Sequence, residues 1–575
     1  MPTLQFKGKN IIWNHHLSVP YHTLEEVDEL NFQPEKANGN LIVEGDNLLA
    51  LKALLPHYAG KVKCIFIDPL YNTGNDVEEG KSWVYSDNVN SPLLKEWFGK
   101  EVSRDDLTRH DKWLCMMVPR LKLLRELLHD DGAIFITIDD NEYASLKAIM
   151  DEIFNEENLV ANIVWQARKS VQNDTDISVN HNYVLVYAKN RRQTERRLKA
   201  SNADKWYQMP GFVFKPLLLD KSKFSNPDND PRGLWKADPF DAPNVRENLT
   251  YPIINPSTGK KYLPPKGRHW RTEEDNFKKL LKENRVLFGR KGESGPQLKV
   301  FWDEKKEYGE IETSWWGEGS AEIYLNEDID YDTAQEWTNY GTTTQGSKLL
   351  QSMFNSEKVF NNPKPVELLI NIIRQSANRD DIILDSFAGS GTTMHAVMEL
   401  NKEDGGQRQC IMVQMTEATP KEPDKNICKD VTRERVKRAI EKYGYDSGFW
   451  YLRVGIPIDA ETMLAGELPT YNQFAEYVYY LCTGDSLKEK QAINEKTYYV
   501  GKQGSSVIYL VYKQNFEELT HMALNLDLAE EISARHPQKR LIIYAPACFL
   551  EEEYMRDKSI EYVGIPYNLF RRAGE

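Results

Sequence analysis

The sequence predicts an α/β fold in which a largely parallel sheet is built from two separated stretches of chain. Residues 1–159 alternate short apolar strands with helical segments, and the same alternation returns in residues 346–455. Continuous apolar strands between helices are typical of a parallel sheet that is covered on both faces. The intervening residues are richer in proline, glycine, asparagine and tryptophan, which indicates an insertion of a different kind.

The first stretch holds three apolar runs and two segments with leucines at helical spacing. The predicted strands are 41–43, 62–67 and 133–138, and the predicted helices are 47–55 and 113–128. Asp139, Asp140 and Asn141 follow the third strand, and we expect them to cap the next helix rather than to line a pocket.

The second stretch continues the pattern, and a further segment follows it. The predicted helices are 365–377, 392–400 and 431–443, and the predicted strands are 382–384 and 409–415. Residues 456–575 contain strand-like runs and an acidic helix, consistent with an α+β domain. The insertion shows one clear strand, 183–187, and otherwise indicates a separate α+β or mostly β structure. The predicted domains are 1–160, 161–345, 346–455 and 456–575.

Composition excludes several classes of protein. With 575 residues, 40% hydrophobic and 28% charged, the chain is an ordinary globular protein of several domains. No apolar run is long enough to span a membrane, and the N-terminus lacks the layout of a signal peptide. The six cysteines are scattered without a CxxC pair, which favours a reducing compartment and argues against a cysteine-based zinc site. We expect a soluble cytoplasmic protein without a metal.

A glycine-rich segment, Asp385–Thr393 (DSFAGSGTT), lies between a predicted strand and a predicted helix. Glycines there allow a tight turn, and the helix N-terminus offers free N–H groups to a ligand. Glu417, at the end of the next strand, is placed to accept hydrogen bonds from ribose hydroxyls. The segment therefore predicts a nucleoside-containing cofactor. Met394 stands where a dinucleotide fingerprint needs glycine, which counts against NAD, and a plain strand–helix turn remains an alternative.

A second motif, Asp68–Tyr71 (DPLY), ends another predicted strand. It offers a carboxylate, a rigid turn with backbone carbonyls and an aromatic ring, which suit a planar ligand that carries an amino group. Such a ring would stack on Tyr71 while Asp68 and a carbonyl accept hydrogen bonds from the amine. A proline-kinked strand end with a surface tyrosine is the structural alternative. We expect both motifs at neighbouring strand ends of one sheet.

Together the two motifs resemble a known family. DSFAGSGTT resembles the S-adenosylmethionine-binding motif of amino-group DNA methyltransferases, and DPLY resembles their catalytic motif, [DNS]-P-P-[YFW]. The catalytic motif precedes the cofactor motif, which is the order of the β class, whose insertion is the target-recognition domain. Residues 35–455 further resemble the modification subunits of type III restriction-modification systems. The supporting stretches are GDNLLAL, IDPLYNTG, DDGAIFITIDDNE, HNYVLVYAKN, NDPRGLW and NNPKPVELL.

The resemblance implies a circularly permuted, Rossmann-like methyltransferase sheet and a definite reaction. It implies transfer of the methyl group of S-adenosylmethionine to N6 of an adenine that is flipped out of double-stranded DNA. The catalytic residues would be Asp68, Pro69, Leu70 and Tyr71, and the initial aspartate favours adenine. Leu70 departs from the family, which usually has proline there, so a catalytically weakened DNA-recognition subunit is one alternative. A stand-alone enzyme that makes 4-methylcytosine is another.

The resemblance also assigns residues around the cofactor. They are Asp46, Lys364, Asp385, Phe387, Ala388, Gly389, Gly391, Thr392 and Glu417. Asp46 could equally cap the helix that follows it, and Lys364 could equally be a solvated lysine. His181 is best explained as a hydrogen-bonded structural histidine, with a position near the target base as the alternative.

The net charge of −14 is unevenly distributed along the chain. Residues 160–300 carry a net charge of +12, whereas residues 1–159 carry −11. A basic block in the insertion fits contacts to DNA phosphates. The candidate DNA-binding residues are Arg168, Lys169, Arg191, Arg192, Lys260, Lys261, Arg268 and Arg271. The resemblance implies double-stranded DNA, a second copy of the chain and a restriction subunit as partners, in a bacterial or archaeal cytoplasm.

Overall fold

The computed structural model describes residues 3–73, 108–170, 176–192, 211–216, 221–289, 294–306, 311–317, 340–417, 423–487 and 492–566. The chain forms two compact units. The larger unit combines Met1–Val213 with Thr313–Glu575, and the smaller unit is Phe214–Glu312. Within the described residues, no helix has the length and apolar character needed to cross a membrane.

Strands and helices are numbered separately in chain order. The strands are β1 (Tyr21–Glu26), β2 (Leu41–Glu44), β3 (Val62–Ile67), β4 (Leu128–Ile138), β5 (Leu159–Trp165), β6 (Asn182–Ala188), β7 (Trp235–Pro239), β8 (Asp241–Pro243), β9 (Ile253–Ile254), β10 (Lys261–Tyr262), β11 (Arg268–Trp270), β12 (Val286–Leu287), β13 (Gln297–Phe301), β14 (Trp315–Trp316), β15 (Ile382–Asp385), β16 (Gln409–Gln414), β17 (Trp450–Ile458), β18 (Tyr499–Gln503), β19 (Ser506–Leu510), β20 (Arg540–Ala545) and β21 (Ile560–Gly564). The α-helices are α1 (Lys9–Ile12), α2 (His15–Ser18), α3 (Asn47–Tyr58), α4 (Arg109–Leu127), α5 (Tyr143–Phe154), α6 (Glu274–Lys282), α7 (Trp302–Lys305), α8 (Thr343–Met353), α9 (Val366–Ser376), α10 (Thr392–Asp404), α11 (Glu434–Tyr443), α12 (Ala460–Leu464), α13 (Tyr471–Thr483), α14 (Phe516–Thr520), α15 (Leu526–Arg535) and α16 (Glu552–Asp557).

A mixed sheet forms the centre of the larger unit. In the described residues its strand order is β1-β17-β2-β16-β15-β3-β4-β6-β5-β14. The strands from β17 to β4 run parallel, whereas β1 joins β17 antiparallel and β6 lies antiparallel between β4 and β5. The prediction of a largely parallel sheet is therefore confirmed, and the edges add antiparallel strands. An apolar run indicates a buried strand but carries no information about the direction of its neighbour.

Burial on both faces explains the continuous apolar strands. Ile65 and Ile67 of β3 belong to one large apolar cluster together with residues of α3, α4 and α5. Cys64 and Phe66 alternate with them, face the opposite side of the sheet and are buried as well. A strand with both faces covered has no position for a solvated side chain, which confirms the α/β class.

The predicted elements are present, with shifted ends. The strand predicted over 133–138 already begins at Leu128, because Leu128 pairs with Val62 of β3. The helix predicted over 431–443 begins at Glu434, because residues 428–433 form a wider π-helical turn. Asp139 does not cap α5; its carboxylate instead accepts hydrogen bonds from the backbone and side chain of Asn141.

The C-terminal segment belongs to the larger unit. Its sheet has the order β18-β19-β20-β21, with β18 antiparallel and the other strands parallel. Helix α13 packs into the large apolar cluster, where the rings of Tyr477 and Tyr21 lie 4.3 Å apart between their centroids. The segment is thus joined to the large sheet through a common core.

The smaller unit has its own core and is mostly β. A three-stranded antiparallel sheet (β12-β13-β7) and two short pairs (β8 with β11, β9 with β10) surround α6. Phe240, Trp270 and Phe277 contribute to its apolar cluster. The unit is smaller than the predicted insertion, because β5, β6 and β14 belong to the large sheet.

Candidate active site

The candidate site lies at the carboxyl ends of the central strands, inside the larger unit. Strands β3 and β15 are direct parallel neighbours, so the two predicted motifs follow adjacent strands, as expected. Their loops surround a cavity of about 590 Å³, including its part open to solvent. Its lining residues are Phe66, Asp68, Leu70, Phe360, Pro363, Lys364, Asp385, Phe387, Ala388, Gly389, Ser390, Thr392, Thr393, Gln414 and Glu417. Among the residues predicted from the motifs, Pro69, Tyr71, Asp46 and Gly391 are not part of that lining.

Glycine is required at two positions of the loop between β15 and α10. Gly389 and Gly391 have φ angles of 52° and 80°, in the left-handed region that other residues rarely adopt. A Cβ atom at Gly389 would lie 2.9 Å from the ring of Phe360, and one at Gly391 would lie 3.0 Å from the carbonyl oxygen of Thr432. The loop is therefore more constrained than a tight turn alone would require.

The carboxyl group of Asp385 anchors the start of this loop. It accepts hydrogen bonds from the backbone N–H of Phe387 (3.0 Å) and from the hydroxyl of Thr393 (2.5 Å). Burial, and to a lesser extent the charge of Asp68, raise the pKa of Asp385, the two hydrogen bonds and Lys364 lower it, and the resulting pKa is about 7. The side chain is 3% exposed, so Asp385 contacts the loop rather than bulk water.

Residues beyond the motif also hold the loop. Arg435 is fully buried and donates hydrogen bonds to the hydroxyls of Ser390 (2.8 Å) and Thr392 (2.5 Å). Burial lowers the pKa of Arg435 to about 10. The hydroxyl of Thr432 donates to the carbonyl of Gly389 (2.6 Å). The sequence predicts only that both residues lie in the helix 431–443, because helical spacing does not distinguish an inward arginine from a solvated one.

Glu417 lies at the end of the next strand, as predicted, and is linked to the glycine loop. Gln414 accepts a hydrogen bond from the backbone N–H of Gly389 (2.7 Å) and donates one to the carboxylate of Glu417 (3.1 Å). Gln414 was missed by the sequence analysis. A polar residue at the end of the apolar run 409–415 was the signal that could have identified it.

Asp68 is held by a hydrogen bond and by an ion pair with Lys364, a residue outside both motifs. One carboxylate oxygen accepts a hydrogen bond from the hydroxyl of Thr137 (2.6 Å), and the other pairs with the ammonium group of Lys364. Lys364 is only 7% exposed, so the interpretation as a solvated lysine is wrong. Thr137, a lone polar residue in the apolar strand β4, was not singled out from the sequence.

Tyr71 lies beside this ion pair. The Lys364 ammonium is 5.2 Å from the centre of its ring, and its hydroxyl accepts a hydrogen bond from Asn182 (3.2 Å). Burial and the charge of Asp68 raise the pKa of Tyr71 well above its ordinary value, so the phenol is neutral. Leu70 is 36% exposed, and its carbonyl accepts a hydrogen bond from the indole of Trp113 (2.7 Å). The loop is thus anchored through its backbone at the position where leucine replaces the family's proline.

A buried carboxylate supports the next residue of the loop. Glu142 is fully buried and accepts hydrogen bonds from Asn72 (2.5 Å) and from the ring of His110 (2.7 Å). Burial raises the pKa of Glu142, and its two partners oppose that shift. Asn72 has a φ of 56°, so Glu142 holds a backbone conformation that is unfavourable by itself.

Asp46 caps the N-terminus of helix α3, which is the structural alternative considered for it from the sequence. Its carboxylate accepts hydrogen bonds from the backbone N–H groups of Leu48 (2.8 Å) and Leu49 (3.4 Å) at the start of α3, and it pairs with Arg120 at 3.4 Å. Within the described residues, His181 packs edge-on against the ring of Tyr183, with centroids 5.1 Å apart.

The predicted DNA-binding residues divide between the two units. Arg168, Lys169, Arg191 and Arg192 lie in the larger unit, and Lys260, Lys261, Arg268 and Arg271 lie in the smaller one. Several are engaged within the chain. Arg191 donates to the carbonyl of Leu159 (2.5 Å), while Arg268 pairs with Asp241 and Arg271 with Asp238. Such pairing reduces the charge that these side chains present to a polyanion.

Comparison with known proteins fits this geometry. The sequence matches the family described as DNA methylase over residues 62–441, which include both loops and the insertion between them. This chain belongs to the DNA methylase family. The Mod subunit of the type III restriction-modification enzyme StyLTI from Salmonella typhimurium is 34% identical over 459 residues, 75% of this chain and 63% of that protein. The EcoP15I Mod subunit from Escherichia coli is 30% identical, over 75% of this chain and 68% of that protein.

The chain spans somewhat less than two thirds of the length of the Salmonella relative. Among solved structures, the complex of M1.HpyAVI with SAM is 14% identical and covers 65% of this chain and 94% of its own, with a TM-score of 0.25. As a DNA methylase, the chain carries the Asp68 loop first, then the insertion and then the glycine loop.

Proposed function

We propose that this DNA methylase is the modification subunit of a type III restriction-modification system. It would transfer the methyl group of S-adenosylmethionine to N6 of a specific adenine in double-stranded DNA. The observation that carries the proposal is that the glycine loop and the Asp68 loop line the same cavity, with Lys364 and Asp68 paired in its wall. One cavity at adjacent strand ends allows a cofactor and an amino-bearing ring to meet.

The residues of the cavity fit S-adenosylmethionine. A Cβ atom at Gly389 would press on Phe360, which also lines the cavity, so glycine keeps this part of the wall free for close approach by a ligand. Glu417 would accept hydrogen bonds from the ribose hydroxyls, and Phe387 and Ala388 would contact the adenosine, with Asp385 and Thr392 shaping the loop. Lys364, which pairs with Asp68, would also pair with the carboxylate of the cofactor. Asp46 would act indirectly, through the helix that it caps. When bound, the cofactor supplies a methyl group on a sulfonium, which is already activated for transfer.

The roles of the catalytic loop follow from its donors and acceptors. The Asp68 carboxylate has about four acceptor positions, and Thr137 and Lys364 use two of them. The amino group of the target base would donate to a remaining one and to the Pro69 carbonyl, while Tyr71 stacks on the ring. These contacts orient the nitrogen lone pair and stabilise charge that develops on the amine. Leu70 would contribute mainly through its backbone.

DNA recognition is proposed for the insertion, residues 161–345. The predicted basic residues would hold the phosphates and set the register, and base-edge contacts would give specificity. We propose that residues 1–160 and 346–455 form the methyltransferase domain and that residues 456–575 form a C-terminal domain for dimer or partner contacts. A second copy of the chain and a restriction subunit are the proposed partners, acting on DNA in the cytoplasm.

Sequencing of modified bases tests the proposal directly. DNA from cells that express the wild-type chain should carry 6-methyladenine at one recurring sequence, and Asp68→Ala should abolish it. The matched control, Glu29→Ala, removes an exposed carboxylate outside the cavity and should leave methylation unchanged. A product of 4-methylcytosine would overturn the choice of adenine. Unmodified DNA together with sequence-specific binding would favour the weakened recognition subunit.

A further inference from the structure

A second cavity lies in the C-terminal sheet, outside the site described above. It measures about 1080 Å³, including its part open to solvent, and it lies between the β18–β19 hairpin and the end of α15. Three of its nine lining residues are Lys502, Arg535 and Lys539, and none of the nine carries a carboxylate. The whole segment 456–575 contains 12 Lys and Arg against 18 Asp and Glu, so the positive lining contrasts with an acidic surrounding.

The positive charges converge from three different elements. Lys502 comes from β18, Arg535 from the last turn of α15, and Lys539 from the loop before β20. The helix dipole favours a cation in the last turn of a helix, which explains Arg535 but neither of the two lysines. Arg535 also pairs with Glu531. Lys502 and Lys539 form no ion pair with the residues that the structure describes. Their charges therefore remain available to a ligand.

Aromatic rings complete the wall of the cavity. His536 forms a 2.9 Å hydrogen bond with the hydroxyl of Tyr509, and its ring stacks near that of Tyr499, with centroids 6.2 Å apart and 24° between planes. Burial lowers the pKa of His536, and so do the charges of Arg535, Lys502 and Lys539. All three cations therefore lie close enough to the imidazole to act on it electrostatically. Tyr509 is buried, whereas the half-buried rings of Tyr499 and His536 offer an apolar surface directly beside the positive charge.

We propose that this cavity binds a nucleotide unit, a phosphate joined to a planar base, at a site separate from the methyltransferase cavity. Lysine and arginine bind phosphate oxygens by charge-assisted hydrogen bonds. Aromatic side chains contact bases without sequence preference. Cationic side chains beside aromatic rings are therefore typical of nucleotide binding. The unit comes either from a free nucleotide or from a nucleic-acid strand.

Equilibrium binding to the full chain tests this site. The probes are cytidine monophosphate and a 12-nucleotide oligodeoxycytidine, titrated with saturating S-adenosylhomocysteine so that the methyltransferase cavity is filled. Lys502→Glu with Lys539→Glu reverses two exposed charges of the cavity. Lys513→Glu with Lys558→Glu makes the same change in net charge on exposed residues outside it. Thermal unfolding of all three proteins checks that each is folded.

The wild type and the control pair should bind at least one probe equally well, and the cavity pair should bind it at least tenfold more weakly. Weakening for the mononucleotide assigns a free nucleotide as ligand, and weakening for the oligonucleotide alone assigns a strand. Equal affinity in all three proteins, equal weakening in both variants, or no binding of either probe to the wild type overturns the site. Methyl transfer in the three proteins reports separately on the proposed function.

Discussion

At the scale of single residues, the candidate site depends on positions where one additional carbon atom would clash with a neighbouring side chain. Gly389 combines a positive φ with contact to Phe360, whereas Gly405, at the end of α10, has a similar φ of 67° and open space around it. The two glycines therefore share a backbone requirement but differ in the space available for a side chain. The motif pattern predicted the loop correctly, but it could not identify Arg435 or Lys364 as buried, since a sequence does not show which side chains face inward.

Gly389→Ala should weaken binding of S-adenosylhomocysteine at least tenfold, because the new methyl group would displace Phe360 in the wall of the cavity. The matched control, Gly405→Ala, should lower the free energy of unfolding by about 1 kcal/mol, the cost of a positive φ, without changing ligand affinity. Calorimetric titration and chemical denaturation measure the two quantities. Equal effects of both substitutions on affinity would contradict a role for space at Gly389.

Asp385 should make stability depend on pH. Its pKa is raised to about 7 in the folded chain by burial, so between pH 4 and 7 the folded state holds a proton that the unfolded state has lost. The free energy of unfolding should therefore fall as pH rises through this range, by up to about 4 kcal/mol, since one pKa unit is about 1.4 kcal/mol. Asp385→Asn should flatten this dependence in denaturation measured from pH 4 to 8. An unchanged slope would show that the carboxyl group is ionised throughout.

At the scale of elements, helices α4 and α5 support the loop that follows β3. Trp113 on α4 holds the carbonyl of Leu70, and Glu142, just before α5, holds the side chain of Asn72. The apolar runs predicted the strands that end at this site because both their faces are buried. The apolar runs did not predict the contacts of Trp113 and Glu142 with this loop. A tryptophan in an amphipathic helix and a glutamate before a helix occur in many structures without such contacts.

Glu142→Ala should slow methyl transfer through the position of the loop. It would leave Asn72 and His110 without their shared acceptor, at a cost of about 1–3 kcal/mol in the free energy of unfolding. Glu142→Gln keeps one acceptor oxygen and should recover most of the rate. The values of kcat and KM for DNA, together with unfolding curves, separate a displaced loop from general instability. If Glu142→Ala and Glu142→Gln transferred methyl groups at the same rate, the result would indicate that only the fold depends on Glu142.

At the scale of the whole molecule, the chain combines one large sheet with an independent smaller unit. Composition revealed the insertion through its prolines, glycines and tryptophans, but it could not locate the boundary at Phe214. Strands β6 and β14 and most of β5 lie inside the predicted insertion and yet extend the large sheet. Strand β6 pairs with β4, β5 with β6, and β14 with β5, and such hydrogen bonds, not composition, decide membership of a sheet.

Replacement of residues 214–312 by a flexible linker of about ten residues should leave the methyltransferase cavity intact. All of its lining residues lie in the larger unit, so affinity for S-adenosylhomocysteine should stay within twofold of the wild type. Affinity for DNA that contains the methylated sequence should fall at least tenfold, because half of the predicted DNA-binding residues are removed. Retained sequence-specific binding in a gel-shift assay would contradict a role for the smaller unit in recognition.

The adjacency of β3 and β15 has a consequence for synthesis of the chain. More than 300 residues separate these neighbours, and in the described part of the chain β2 pairs with β16 and β17. While the ribosome makes the first half, β2 has no neighbour and one edge of β3 stays open. The centre of the sheet can close only after residue 458 has emerged, and strand pairing over such distances is slow. The nascent chain therefore exposes unpaired strand edges for most of its translation, the interval in which chaperones bind such surfaces.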